Sequence, residues 1–393
     1  MTAFVRSARS TRSPRPSLGR APGRGGTRRL LAAAVPLLLG ALAACGYGSD
    51  ADDDESNPPA ASGSSPGEAL SADSVSIGYF ANLTHATAII GLESDGPISQ
   101  ALGGTDVNTQ IFNAGPSAIE ALNAGDIDVT FIGPNPAING WSQSGGQSLR
   151  IVAGAASGGA SLVVDPDKIH SPEDLAGKRI ATPQLGNTQD VALLSYLAEQ
   201  GYEVDPQSGS GEVSVLRVPN SEVLAAFEGG DIDGAWLPEP HASLLVAHGA
   251  ETLIDEADLW DGGQFVVTHV IASQDFLAEH EDVVEAIVRG VVETNAWINE
   301  HPDEAKSRFN AALGRLPGGR ELEPEVLDPA FAHVEFTNDP LARTLQQGAQ
   351  DATDVGLLDE TDLSGIYDLS ILNRVLAEEG QPEVDDAGLG VED

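Results

Sequence analysis

The sequence has 393 residues, with 60 Asp+Glu against 20 Lys+Arg and a formal net charge of −40. So acidic a chain repels nucleic acid and anionic lipid headgroups, and any anion it binds must be held by local geometry against the overall field. The only cysteine is Cys45, which excludes internal disulfides and thiolate metal sites.

The N-terminal segment has the opposite composition. Arg6, Arg9, Arg12, Arg15, Arg20, Arg24, Arg28 and Arg29 precede an apolar run from Leu30 to Ala44, and no acidic residue occurs before Asp50. A basic stretch, an apolar stretch and small residues at Leu42-Ala43-Ala44-Cys45 make residues 1–44 an export signal. The apolar run spans roughly 22 Å as a helix, short of the roughly 30 Å hydrocarbon core. The Leu-Ala-Ala-Cys ending resembles the bacterial lipobox, which implies lipidation of Cys45 and anchorage at the outer face of the cytoplasmic membrane. Without the leader's eight arginines, 12 Lys+Arg remain against 60 Asp+Glu, a formal charge of −48. Residues 45–72 are rich in Gly, Ser, Pro and Asp, bury almost nothing, and read as a flexible tether.

The remainder contains a repeat. At a constant offset of 105, Asn82 meets Asn187, Ala121 meets Ala226, and Gly125-Asp126-Ile127-Asp128 meets Gly230-Asp231-Ile232-Asp233. After one shifted residue, Pro134-Asn135-Pro136 answers Pro238-Glu239-Pro240. A period of domain size indicates a duplicated lobe. Each unit opens with a strand, Val75–Phe80 or Arg179–Thr182, and a helix, Thr84–Leu92 or Thr188–Ala198. A strand at Val107–Phe112 or Val213–Val218 leads to a helix opened at Gly115-Pro116-Ser117 or Asn220-Ser221-Glu222 and closed at glycine. A third strand, Ile127–Ile132 or Ile232–Leu237, precedes a helix begun at Pro-Asn-Pro or Pro-Glu-Pro. Alternating strands and helices imply an α/β fold with parallel sheets covered on both faces. Ligands of such sheets bind beyond the carboxyl ends of the strands, where free N–H groups at helix starts suit an anion. The same turn residues also serve as ordinary helix caps.

Phe112-Asn-Ala-Gly115-Pro116, Glu120 to Asp128, Ser171 to Ile180 and Asp231 to Pro240 together resemble the aliphatic sulfonate, taurine and nitrate branch of ABC-transporter solute-binding proteins. The resemblance covers most of residues 75–310. It implies a periplasmic-binding-protein-like fold of two α/β lobes joined by two crossover segments, with lobe one at 73–164 and 262–393 and lobe two at 165–261. It also implies a monomeric binding protein without cofactor, partnered by permease and ATPase subunits. By position, the cleft is expected to be lined by Asn82, Thr84, His85, Gly115, Pro116 and Asn135 from lobe one. Lobe two adds Gly186, Asn187, Thr188, Asp190, Trp236 and Glu239, and the crossover strand Val266–Ile271 adds His269.

Several side chains carry a further expectation. Trp236 either closes over an alkyl chain or serves as a core aromatic, and His85 and His269 can each donate a hydrogen bond to an anion. Glu239 and Asp190 favour a helix dipole, or else receive an ammonium group, which would favour taurine or another zwitterion over a simple sulfonate or nitrate. No two histidines have the close spacing of zinc ligands. Relatives that form the thiamine pyrimidine share this architecture and supply the alternative function. Residues 281–310 read as an amphipathic helix on lobe one, and the acidic tail beyond Gly380 reads as loose.

Overall fold

The structure is a computed structural model that describes residues 69–391. The export signal 1–44, Cys45 and the tether as far as residue 68 lie outside the described residues. In chain order the strands are β1 (Ser74–Phe80), β2 (Asp106–Phe112), β3 (Val129–Ile132), β4 (Leu149–Gly158), β5 (Ala160–Val164) and β6 (Arg179–Thr182). They continue with β7 (Ser214–Arg217), β8 (Gly234–Pro238), β9 (Glu251–Asp255), β10 (Val266–Ser273) and β11 (Val334–Phe336).

Two sheets result, one ordered β11-β4-β10-β3-β1-β2 and the other β7-β6-β8-β5-β9. Read from the β2 and β7 edges they are equivalent, because β2-β1-β3-β10-β4 corresponds to β7-β6-β8-β5-β9. The 105-residue offset is physical. The helix Gly115–Ala124 answers Asn220–Glu228, and β3 starts at Val129 where β8 starts at Gly234. Both helices end at a glycine in the left-handed region, Gly125 at φ 75° and Gly230 at φ 70°. The turns close with the same bonds, from Asp126 N–H to Ala121 O and from Asp231 N–H to Ala226 O. A side chain at either glycine would be strained there.

The sheets are mixed, not wholly parallel as expected. β1 runs parallel to β2 and β3, and β6 to β7 and β8, but β10 is antiparallel to β3 and β4, and β5 to β8 and β9. The reason is the route of the chain. β4 ends at the cleft edge of the first sheet and turns through Gly158 and Gly159 directly into β5 of the second; β10 returns the same way. A strand entering from the cleft edge must run against strands that finish there. The change of sheet therefore falls at Gly158-Gly159, one strand before the expected boundary at 164/165.

β3 is buried along its whole length, as a strand covered on both faces should be. In the first lobe Ile77, Leu83, Val129 and Phe131 are fully buried, each worth about 1.5–3 kcal/mol relative to exposure. The amphipathic segment is two helices, Glu281–Glu300 and Pro302–Arg315. Pro302 lacks a backbone N–H and suits the first position of a new helix better than the interior of an old one. The acidic tail is not loose. Leu389 is buried, Val391 N–H bonds to Tyr367 O, and Asn373 exchanges two hydrogen bonds with the backbone of Val384.

Candidate functional site

The lobes meet at the carboxyl ends of β1 and β3 on one side and of β6 and β8 on the other. Leu83 N–H donates to Glu239 O across the gap at 2.9 Å. Gly133 lies against the Thr188 hydroxyl so closely that a methyl group at position 133 would collide with it. Between the lobes is a cavity of about 20 Å³ bounded by Asn82, Thr84, His85, Gly115, Asn187 and Thr188, together with Gln189, Gly133 and Pro136. That volume suits about one water molecule, so a sulfonate enters only when the lobes part.

No Asp, Glu, Lys or Arg lines this cavity. Its polar groups are neutral donors, and their availability differs between the lobes. Asn82 has the extended backbone of a helix cap, φ −117° and ψ 155°, yet makes no capping bond, so its carboxamide is uncommitted. His85 is 2% exposed, and burial lowers its pKa to about 3, so the ring stays neutral. Its Nδ1 accepts from Phe80 N–H at 3.4 Å, which leaves the ring proton on Nε2. On the facing wall, Asn187 caps the helix Thr188–Glu199 by accepting from Asp190 N–H at 3.0 Å and donates to Gln189 Oε1 at 2.8 Å. Gln189, in the same expected turn, spends its Oε1 on that bond, and its amide nitrogen has no hydrogen-bond partner among the described residues.

Pro116 and Gly186 flank these turns half-buried, Gly186 at φ 73°. Three other expected residues, Asp190, Glu239 and His269, do not line this cavity. Asp190 is fully buried and saturated. It accepts from Thr182 Oγ1 at 2.7 Å, Gly186 N at 2.9 Å, Arg217 Nε at 3.0 Å and a terminal Arg217 nitrogen at 3.2 Å. Glu239 is 1% exposed and accepts from Ser243 N–H, Ser243 Oγ and His333 Nδ1 at 3.1, 2.9 and 2.8 Å. The helix it caps begins at His241, because Glu239 N–H still bonds to Gly159 O as an extension of β8. Both carboxylates are thus taken by protein donors, and neither lines the cavity to receive an ammonium group. His269 points into lobe one, with Nε2 donating to Pro340 O at 3.0 Å and the ring edge-on to Tyr367; burial lowers its pKa to about 4.

Asn135 and Trp236 lie on a second, larger cavity of about 800 Å³, which borders the first at Thr188. Asn135 Nδ2 donates to Gly348 O at 2.9 Å, and Trp236 Nε1 donates to Glu256 at 2.7 Å. Much of this cavity comes from residues 256–266 and 339–351, segments far apart in sequence with no motif to mark them.

The two sheets of equal topology, facing each other across a cleft and linked by exchanged strands, define a periplasmic-binding-protein fold. The chain belongs to the NMT1-like family, whose model matches residues 68–313. It is 28% identical over 211 residues to the taurine-binding periplasmic protein of Escherichia coli (strain K12), a match covering 54% of this chain and 63% of that relative. The fold is shared with the alkanesulfonate-binding protein SsuA from Xanthomonas axonopodis pv. citri bound to MOPS, at a TM-score of 0.61 and 21% identity over 73% of this chain and 95% of that one. It is shared also with the periplasmic nitrate-binding protein NrtA from Synechocystis PCC 6803, at a TM-score of 0.65 and 15% identity over 79% and 90% of the two chains.

Proposed function

We propose that the chain is the extracytoplasmic solute-binding component of an ABC importer and that it captures a small sulfonate-type anion by closure of its lobes. The observation that carries this reading is the cleft between two equivalent lobes, lined by neutral hydrogen-bond donors and by no charged side chain. Asn82, Thr84 and the Nε2–H of His85 approach the anion from one lobe, and Thr188 with Gln189 from the other. A ligand that bridges both walls favours the closed form by its differential affinity for it. In this reading the permease and ATPase are the partners, residues 1–44 direct export, and Cys45 carries the lipid. The likeness to a taurine-binding periplasmic protein supports the ligand class. The internal pairing of Asp190 and Glu239 favours recognition through the sulfonate and against an ammonium contact at those two residues.

Thermal unfolding of the protein with taurine, alkanesulfonates and nitrate tests the proposal. A true ligand at a hundred times its dissociation constant stabilises by about 2.7 kcal/mol. Thr188→Ala should weaken binding about tenfold through loss of one hydrogen bond to a charged group. No shift with any of these anions would overturn the reading.

A further inference from the structure

The larger cavity differs in chemistry from the anion cleft beside it. Six carboxylates line it against a single guanidinium, that of Arg343. Its apolar lining combines aliphatic residues, Val191, Leu259 and Leu341 among them, with Tyr196, Trp236, Trp260 and Phe265; Trp260 is the partly exposed aromatic, and its ring stacks on the buried Phe265 at 5.5 Å with 12° between their planes. At about 800 Å³ it falls within the range that holds a small organic molecule.

The group that stands out is Glu256. It is 3% exposed, and its polar neighbours are two indoles, Trp236 at 2.7 Å and Trp260. The charged groups that act on it, Asp255 and Asp351, are both acidic, and no cation pairs with it among the described residues. Burial pushes its pKa up to about 7 despite the two indole donors. A carboxylate desolvated without a positive partner is costly, and a cation in the same cavity would remove that cost. Aromatic faces beside a carboxylate are also what a desolvated ammonium group prefers.

We infer that this cavity is a second ligand site, separate from the anion cleft, that takes an organic cation: an ammonium head between Glu256 and Asp351 and an apolar body against Trp260 and Phe265. The walls come from both lobes, through Val191 and Ser195 on one side and Ala342 and Gln347 on the other. An occupant therefore touches the same moving surfaces as an anion in the cleft.

Calorimetric titration of the full chain with benzyltrimethylammonium, and with 2-phenylethanol as a neutral aromatic control, tests the site. The cation should bind saturably, the alcohol should not, and Glu256→Gln should weaken the cation at least about tenfold. Asp351→Asn, a milder change on a half-buried residue, should weaken it severalfold and serves if Glu256→Gln fails to fold. Asn82→Ala, confined to the anion cleft, should leave cation binding unchanged whether or not that cleft takes a sulfonate. Equal binding of the alcohol, unchanged affinity in the folded carboxamide variants, or no binding of the cation would each overturn the inference.

Discussion

The two lobes are copies in topology, yet they use the same motif differently. In each, the last aspartate of Gly-Asp-Ile-Asp reaches back to the first strand of its sheet: Asp128 accepts from Ser76 N–H at 2.8 Å and Asp233 from Arg179 N–H at 3.0 Å. Asp233 also holds Arg179 and Lys168 at 2.8 and 3.0 Å, whereas no cation pairs with Asp128 among the described residues. The first turns differ in the same direction. Asn187 caps its helix, and Asp190 binds Arg217 beneath it, while Asn82 makes no capping bond and the neighbouring acceptor is a neutral histidine. Lobe two has satisfied its own turn, and lobe one has left its donors for something else. Duplication thus yields one wall whose capping turn is internally bonded and one whose Asn82 carboxamide is uncommitted.

The largest break in this comparison should come from Asp190→Ala. It strands Arg217, whose side chain is only 16% exposed, and should cost about 3–5 kcal/mol in urea unfolding. No single change in the turn from Asn82 to His85 should approach that. A smaller contrast is expected between Asp233→Ala and Asp128→Ala, at about 2 and about 1 kcal/mol, the difference reflecting the charge-assisted bonds. Burial opposes ionisation of Asp233, but hydrogen bonds from Arg179 and Lys168 outweigh it and hold the carboxyl below its ordinary range. Its folded pKa is depressed, so its contribution is complete above an unfolded value near 4 and is lost as pH falls below that. The difference between the two variants should shrink in acid, as denaturation at pH 7 and pH 3 would show. The smallest effects sharpen the comparison most. Asn187→Ala should lose about 1 kcal/mol of stability as a cap. Asn82→Ala should stay within about 0.5 kcal/mol in stability while weakening sulfonate binding about tenfold.

Much of this architecture is legible in the sequence because the repeat preserves both hydrophobic register and turn chemistry. Gly125 and Gly230, the paired aspartates and the helix starts at Gly115 and Asn220 fall where the offset places them, whereas the helix expected at Pro238-Glu239-Pro240 starts at His241. Strand direction is not legible, because β5 and β10 owe theirs to the route between lobes and not to local composition. Asp190 and Glu239 show a different limit. A carboxylate at a helix start reads the same whether it faces a ligand or its own backbone, and only the positions of Arg217 and His333 distinguish the two. His269 lies on β10, a strand buried at seven of its eight positions, so alternation gives no clue to which way it points. The acidic tail looked loose by charge, and is held by backbone pairing that composition does not encode.

The exchanged strands also set an order of events for a newly made chain. Every strand of the second sheet lies within residues 160–255, so that sheet can assemble as soon as its own segment is available. The first sheet cannot. β4, buried over nearly all of its ten residues, pairs among the described residues with β10, β11 and the segment around Tyr367, all of which follow the whole of lobe two. Until the chain has left and come back, β4 is an apolar strand with two open edges, a liability for aggregation. Lobe two should therefore acquire amide protection first, with Ala235 ahead of Ala153 in pulsed hydrogen exchange during refolding, and the lobe that begins the sequence should be the last to close.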